Sequence, residues 1–249
     1  VINKLKSLLN FIDYIEELID FWFANRKKKI KIAWKELRPY IFDRNRPSQV
    51  EKHYYQQDCW AIKKILENPD VPIFIHHYDV GSRVDGFVGQ LSAMGVVYYV
   101  DINPPAELTP NLRFTKGSIT SLPFPDGKIY SLSSLHVIEH IGLGRYGDAI
   151  DPDGWKKAIA ELIRVLAPGG NLFISVPVGR ERTVFNAHRV FHPYTILNQC
   201  KDLRLIKFDL INDSGVLWEG MTEHNYYIPR AWWEINYGCG LFHFRKEER

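Results

Sequence analysis

Six apolar residues near the start of the chain, Leu5, Leu8, Ile12, Ile15, Ile19 and Trp22, recur in steps of three and four. That spacing predicts an amphipathic helix with one apolar seam, and Asp13, Glu16, Glu17 and Asp20 fall off it. Residues 32–70 read as irregular structure and helix, ending at Asn68-Pro69-Asp70, where proline disfavours helical continuation. From residue 73 the rhythm changes. Short apolar runs at 73–80, 96–102, 113–116, 129–137 and 171–178 predict strands. Helical patterns at 84–94 and 155–166 lie between them, the second ended by Pro168-Gly169-Gly170. Two later strands are expected at 203–211 and 241–244. An aromatic-rich insertion at 215–240 carries Trp218, Tyr226, Tyr227, Trp232, Trp233 and Tyr237. Strand–helix alternation of this kind predicts an α/β fold, a doubly wound, mostly parallel Rossmann-like sheet. The expected organisation is a helical appendage over 1–70 and one α/β domain over 71–249.

At 249 residues the chain can bury a large core. Its net charge is +3, but Arg26, Lys27, Lys28, Lys29 and Lys31 form one run without which the chain would be slightly acidic. One local cluster is a poor footprint for nucleic acid, so no nucleic-acid partner is expected. After the apolar seam, that run leaves three uses for the first helix. It can pack on the α/β domain, associate with a second copy, or dock peripherally on an anionic membrane. The three Cys are widely spaced with no C-x-x-C pair, which points to a reducing compartment and a cytoplasmic, optionally membrane-peripheral, protein. No apolar run reaches the roughly 18 residues of a membrane span. The chain begins with Val, which leaves room for a removed signal or anchor.

The first candidate site is Asp79-Val80-Gly81-Ser82-Arg83-Val84-Asp85-Gly86, after a strand and opening a helix. Ligands of open α/β sheets bind beyond the carboxyl ends of the strands, and a glycine there lets the backbone approach closely. The second is Asp101, about 20 residues on at the end of the next strand, where a carboxylate can accept from both hydroxyls of a ribose. Histidines supply the third. His136-Val-Ile-Glu139-His140 has the spacing of an inverted zinc-peptidase motif but begins at a strand end, the wrong context. His188 and His192 form an i,i+4 pair, and Asp151 and Asp153 are alternative ligands for magnesium. The simpler reading is hydrogen-bonded side chains and no metal. A neutral His can take a proton from an attacking hydroxyl, and His188 and His140 both follow strands.

Four blocks then resemble the class I S-adenosylmethionine-dependent methyltransferases: 79–86, 97–103, 117–126 (GSITSLPFPD) and 133–141 (SSLHVIEHI). A fifth, 162–177 (LIRVLAPGGNLFISVP), is similar to that family's helix, turn and fifth strand, so the likeness spans 73–211. Segments 140–148 (HIGLGRYGD) and 185–193 (FNAHRVFHP) resemble a poorly characterised bacterial subgroup catalogued as a domain of unknown function and linked with polysaccharide loci. The resemblance implies that S-adenosylmethionine is bound and S-adenosylhomocysteine released. Asp79, Gly81, Ser82 and Arg83 would then meet the methionine end, Asp101 the ribose, and Ile102, Ser118 and Ile119 the adenine. Leu135 and His136 would lie under the cofactor, with His188 or His140 as base. Two positions depart from the family. Arg83 and Asp85 replace further loop glycines, and Ser118 replaces a commoner acid. Arg83 can pair with the methionine carboxylate or block the cofactor. The implied reaction is methylation of a hydroxyl on a glycan or nucleotide-linked sugar. The alternatives are a small non-sugar metabolite or lipid as acceptor, or a binding or scaffold protein that keeps the fold without turnover.

Overall fold

The computed structural model describes residues 2–26, 37, 51–67, 75–221 and 235–248. The chain divides into two compact units, Val1–Val50 and Glu51–Arg249. In the first, α1 (Ile2–Asn25) is the helix expected from the seam. Leu8 and Trp22 are 57% and 58% exposed, and Ile12 and Ile19 nearly half. No helix among the described residues is long and apolar enough to cross a membrane.

The second unit is built on an eight-stranded sheet. Its strands are β1 (Ile75–Val80), β2 (Gly95–Asp101), β3 (Leu112–Lys116), β4 (Ile129–Leu135), β5 (Leu166–Val178), β8 (Arg204–Ile211), β9 (Leu217–Met221) and β10 (Gly238–Arg245). A separate hairpin pairs β6 (Arg182–Val184) with β7 (His188–Val190). The order is β3-β2-β1-β4-β5-β10-β8-β9. The first five strands in this order run parallel, and β10 enters antiparallel between β5 and β8. This is the expected mostly parallel doubly wound sheet.

Alternation along β5 sends Leu172 and Ile174 to one face and Phe173 to the other. On the first face they meet α4 (Gly154–Val165), whose Ala158, Ile159, Leu162 and Val165 make one buried stripe. On the second face Phe173 packs with Trp60, Ala61 and Ile65 of α2 (Lys52–Leu66) and with Phe87 and Leu91. Helix α2 therefore belongs to the same compact unit as the sheet, Glu51–Arg249. The short α5 (Pro193–Gln199) adds Ile196 to the first face.

Two expected elements differ. The helix over 84–94 is a wide π-type turn at Val84–Val88 followed by the single turn α3 (Gly89–Ser92), because Gly86 takes a non-helical φ of −119° and ψ of −110°. The proline–glycine turn is drawn into the start of β5, since Gly169 and Gly170 exchange backbone bonds with Lys246. Of the aromatic insertion, Trp218 lies in β9 and packs against the core, whereas Tyr226, Tyr227, Trp232 and Trp233 lie outside the described residues, as do Lys27, Lys28, Lys29 and Lys31.

Candidate functional site

The carboxyl ends of β1, β2 and β4 meet at one edge of the sheet. Gly81 follows β1 with φ +77°, and a Cβ there would stand 2.9 Å from Val137 Cγ1, so the loop requires glycine. Asp79 is fully buried. Its carboxylate accepts from Ser82 N (3.0 Å), Ser82 Oγ (2.6 Å) and Ser133 Oγ. Ser82 Oγ in turn accepts from Leu135 N at 2.9 Å, tying the loop to the tip of β4. His77 sits beneath, 2.8 Å from both Ser131 Oγ and Ser133 Oγ. Because Ser133 gives its one proton to Asp79, His77 Nε2 is the donor to Ser133. Burial pushes His77 down to about 3 and Asp79 up to about 6, the latter against the hydrogen bonds of Ser133 and Ser82. Asp79 thus shapes the loop from within.

Asp101 closes β2. Its Oδ2 accepts from Tyr99 OH (2.9 Å) and its Oδ1 from Asn103 N (2.8 Å). A carboxylate offers about four lone-pair sites, so two remain for a ligand. Ile102 follows it, half-buried. Ser118 Oγ lies 2.9 Å from Thr120 Oγ1, next to the buried Ile119. Arg83 folds back as a fork onto Asp85 (3.0 and 2.8 Å), stacks 4.7 Å from the ring centroid of Tyr54, and reaches Glu51 at 3.9 Å. Asp58 Oδ2 would be 2.5 Å from a Cβ on Gly86. Tyr54 and Asp58 come from α2, which sequence reading did not connect with the site. Their signal, polar residues on one face of a helix ahead of the first strand, became visible only once that helix was placed.

His136 follows β4 at φ +54°, unusual for a non-glycine residue. Its Nδ1 is 2.7 Å from Glu139 Oε1. The remaining atoms, His136 Nε2 and Glu139 Oε2, are buried side-chain polar atoms without a hydrogen-bond partner, and no others of the kind occur among the described residues. Burial opposes charge on His136, but Cys239 and Glu139 beside it hold its pKa well above the ordinary value. His140 Nδ1 donates to the Ala187 carbonyl at 2.6 Å, and its Nε2 is 3.7 Å from Glu139 Oε1. His188 lies edge-on to Tyr237, with ring centroids 5.2 Å apart. Burial, then the neighbouring His140, Arg182 and Arg145, lower its pKa.

His192 is not with them. It caps α5, accepting from Tyr194 N at 3.3 Å. Asp151 and Asp153 pair with Lys157 and Lys156, each at 2.7 Å. Among the described residues no group of three or more His, Cys, Asp or Glu side chains is arranged to hold a metal ion. The structure therefore brings together Glu139 with His136, His140 and His188, and leaves His192 and the two aspartates apart. The sequence offered Glu139 only within the H-x-x-E-H motif, whose strand-end context argued against a metal site. The signal that could have promoted it was its spacing of three from His136 in H-x-x-E.

Residues 127–199 match the family described as "Caenorhabditis protein of unknown function, DUF268", less than a third of the chain. No curated protein matches the sequence. Among solved structures, the chain is similar to the cyclase SpnF, with TM-score 0.54, 14% identity, and 78% of this chain and 81% of that one covered. It is similar to the 1,6-didemethyltoxoflavin-N1-methyltransferase of Burkholderia thailandensis, solved with bound 1,6-didemethyltoxoflavin and S-adenosylhomocysteine. There the TM-score is 0.52, the identity 16%, and the coverage 78% and 80%. A third likeness is to phosphoethanolamine N-methyltransferase 2 of Haemonchus contortus, bound to phosphomonomethylethanolamine and S-adenosylhomocysteine, at TM-score 0.52 and 15% identity. It covers 78% of this chain and 53% of that one. With its sheet order and its glycine loop and acid on adjacent strands, the chain has the Rossmann-like fold of the class I methyltransferases.

Proposed function

We propose that the chain transfers a methyl group from S-adenosylmethionine to a hydroxyl of a glycan or nucleotide-linked sugar. The observation that carries this reading is Asp101: a carboxylate at the tip of β2, beside the Gly81 loop, with lone pairs left over after its two internal bonds. The residues fit the donor. Asp101 would take the ribose hydroxyls, while Ile102, Ser118 and Ile119 would face the adenine. Gly81, Ser82 and Arg83 would meet the methionine end, over the Asp79 network, and Leu135 and His136 would lie below. Two of the solved relatives hold S-adenosylhomocysteine, which supports the same donor here. Three free cysteines agree with a reducing cytoplasm.

When bound, the donor supplies an electrophilic methyl carbon: the acceptor oxygen forms the C–O bond while the C–S bond breaks and its electron pair stays on sulfur. The protein's share is positioning and proton removal. His188 suits the second task. Its lowered pKa favours the neutral imidazole, ready to accept the hydroxyl proton, whereas Cys239 and Glu139 raise the pKa of His136. Environments that push two like groups apart assign them opposite roles. His188→Ala should lower turnover by roughly 10²–10⁴-fold on a sugar panel and leave S-adenosylhomocysteine affinity near normal. His140→Ala is the companion variant. Full activity in both would contradict the base assignment, and turnover only on non-sugar acceptors would contradict the acceptor.

A further inference from the structure

We propose that the acceptor is an anion, a sugar bearing a carboxylate or a diphosphate, whose charged oxygens are held by His136, Arg145 and Arg182. This rests on the methyl-transfer reading above and names its substrate class.

A chain of contacts joins these groups into one wall. His136 meets Glu139 at 2.7 Å, Glu139 meets His140 at 3.7 Å, and His140 Nδ1 lies 3.3 Å from Arg145 NH1. Arg145 also donates to the Ala187 carbonyl at 3.2 Å, and Ala187 precedes His188. Tyr237 covers His188, and Arg182 donates to the carbonyl of the preceding residue, Asn236, at 2.9 Å.

The wall is rich in donors and short of acceptors. Of the carboxylates that touch it, Glu139 has its Oε1 taken by His136, and Asp213 has its two oxygens taken by Asn236 N and Tyr237 N. Neither Arg145 nor Arg182 has a carboxylate within ion-pair distance among the described residues, and both donate to backbone carbonyls. Arg83 and Arg164 elsewhere each grip acidic side chains. Guanidinium forks match carboxylate and phosphate oxygens in shape and charge.

The buried end of the wall carries a second, independent sign of a ligand. Glu139 Oε2 has no partner and His136 Nε2 lacks a nitrogen or oxygen partner, with only the Cys239 thiol beside this ring, on side chains 1% and 5% exposed. A buried polar atom left unpaired is destabilising, and the backbone takes a left-handed residue at His136 to place this ring. An anionic oxygen satisfies the Nε2–H, and a sugar hydroxyl satisfies the carboxylate oxygen.

Arg145 is presented on a built loop. Asp148 accepts from Gly142 N (2.6 Å), Gly144 N (3.4 Å) and Tyr146 N (3.4 Å), with positive φ at Gly142, Gly144 and Gly147. The Tyr146 ring lies 5.0 Å from the Arg145 guanidinium and edge-on to His140, offering an aromatic face beside the cations.

The test is calorimetric titration of the full chain, saturated with S-adenosylhomocysteine, using glucuronate, inorganic pyrophosphate and glucose in turn. At least one anion should bind roughly tenfold or more tighter than glucose, and which one binds identifies carboxylate or diphosphate as the source. Arg145→Gln and Arg182→Gln should each weaken that binding by roughly tenfold or more, with Arg145→Lys recovering part of it and S-adenosylhomocysteine affinity unchanged. Arg204→Gln, on the far side of the sheet, should change nothing and controls for net charge. Glucose binding as well as the anions, no anion binding at roughly 10 mM, or unchanged binding in both glutamine variants would overturn the proposal. If S-adenosylhomocysteine itself does not bind, the methyl-transfer reading fails, and the same titrations without it still decide on the anion.

Discussion

Asp79 and His77 show how one buried pair of titratable groups writes itself into stability. Asp79 is pushed up to about 6 in the fold, above its ordinary value near 3.8, so the native state holds its proton more tightly than the unfolded chain. That contribution is full below pH ~3.8 and is lost as pH rises through about 6. His77 is pushed the other way, to about 3, so its contribution is present above pH ~6.5 and is lost as pH falls toward about 3. Between about pH 4 and 6 the two slopes oppose each other. Asp79→Asn should uncover the His77 slope, so that the variant's stability falls more steeply than the wild type's on acidification from pH 6.5. Urea unfolding at a series of pH values measures it. Parallel curves for variant and wild type would show that Asp79 is not titrating in this window.

Among the elements, α1 carries the clearest expectation. Apolar side chains on its seam stand about half exposed, and large exposed apolar patches mark contacts. If two copies meet through this seam, the full chain should sediment above monomer size, and Ile12→Asp should return it toward monomer. An unchanged sedimentation profile would contradict self-association and turn attention to anionic vesicles, which the basic run after α1 would favour. Elements with strong apolar runs were legible in the sequence: β1, β2, β4 and the stripe of α4 fall close to the expected residues. The hairpin of β6 and β7 was not. Its residues Arg182, Thr183, His188 and Arg189 are mostly polar, and its pairing is set by the packing of β7 on the turn Ile138–His140 and on β5 rather than by apolar alternation. The turn at Val84–Val88 was misread because Val84, Phe87, Val88 and Leu91 keep helical spacing, while Gly86 breaks the backbone beneath it.

At the scale of the whole molecule, the sheet collects at one edge what the sequence scatters. Asp79, Gly81, Asp101 and Leu135 lay at expected strand ends, so their convergence followed from the fold rule for open sheets. The partnership of Tyr54, Asp58 and Arg83, and the chain from His136 to Arg145, depend on how α2 and the loop after β4 fold over that edge. No local pattern encodes such contacts. The central claim is that this edge holds S-adenosylmethionine, and titration calorimetry with S-adenosylhomocysteine tests it most directly. Saturable binding to the full chain is expected, weakened by about 1.5–3 kcal/mol in Asp101→Ala through loss of the charge-assisted ribose contacts. Absence of binding by the wild-type chain at roughly millimolar ligand would contradict it.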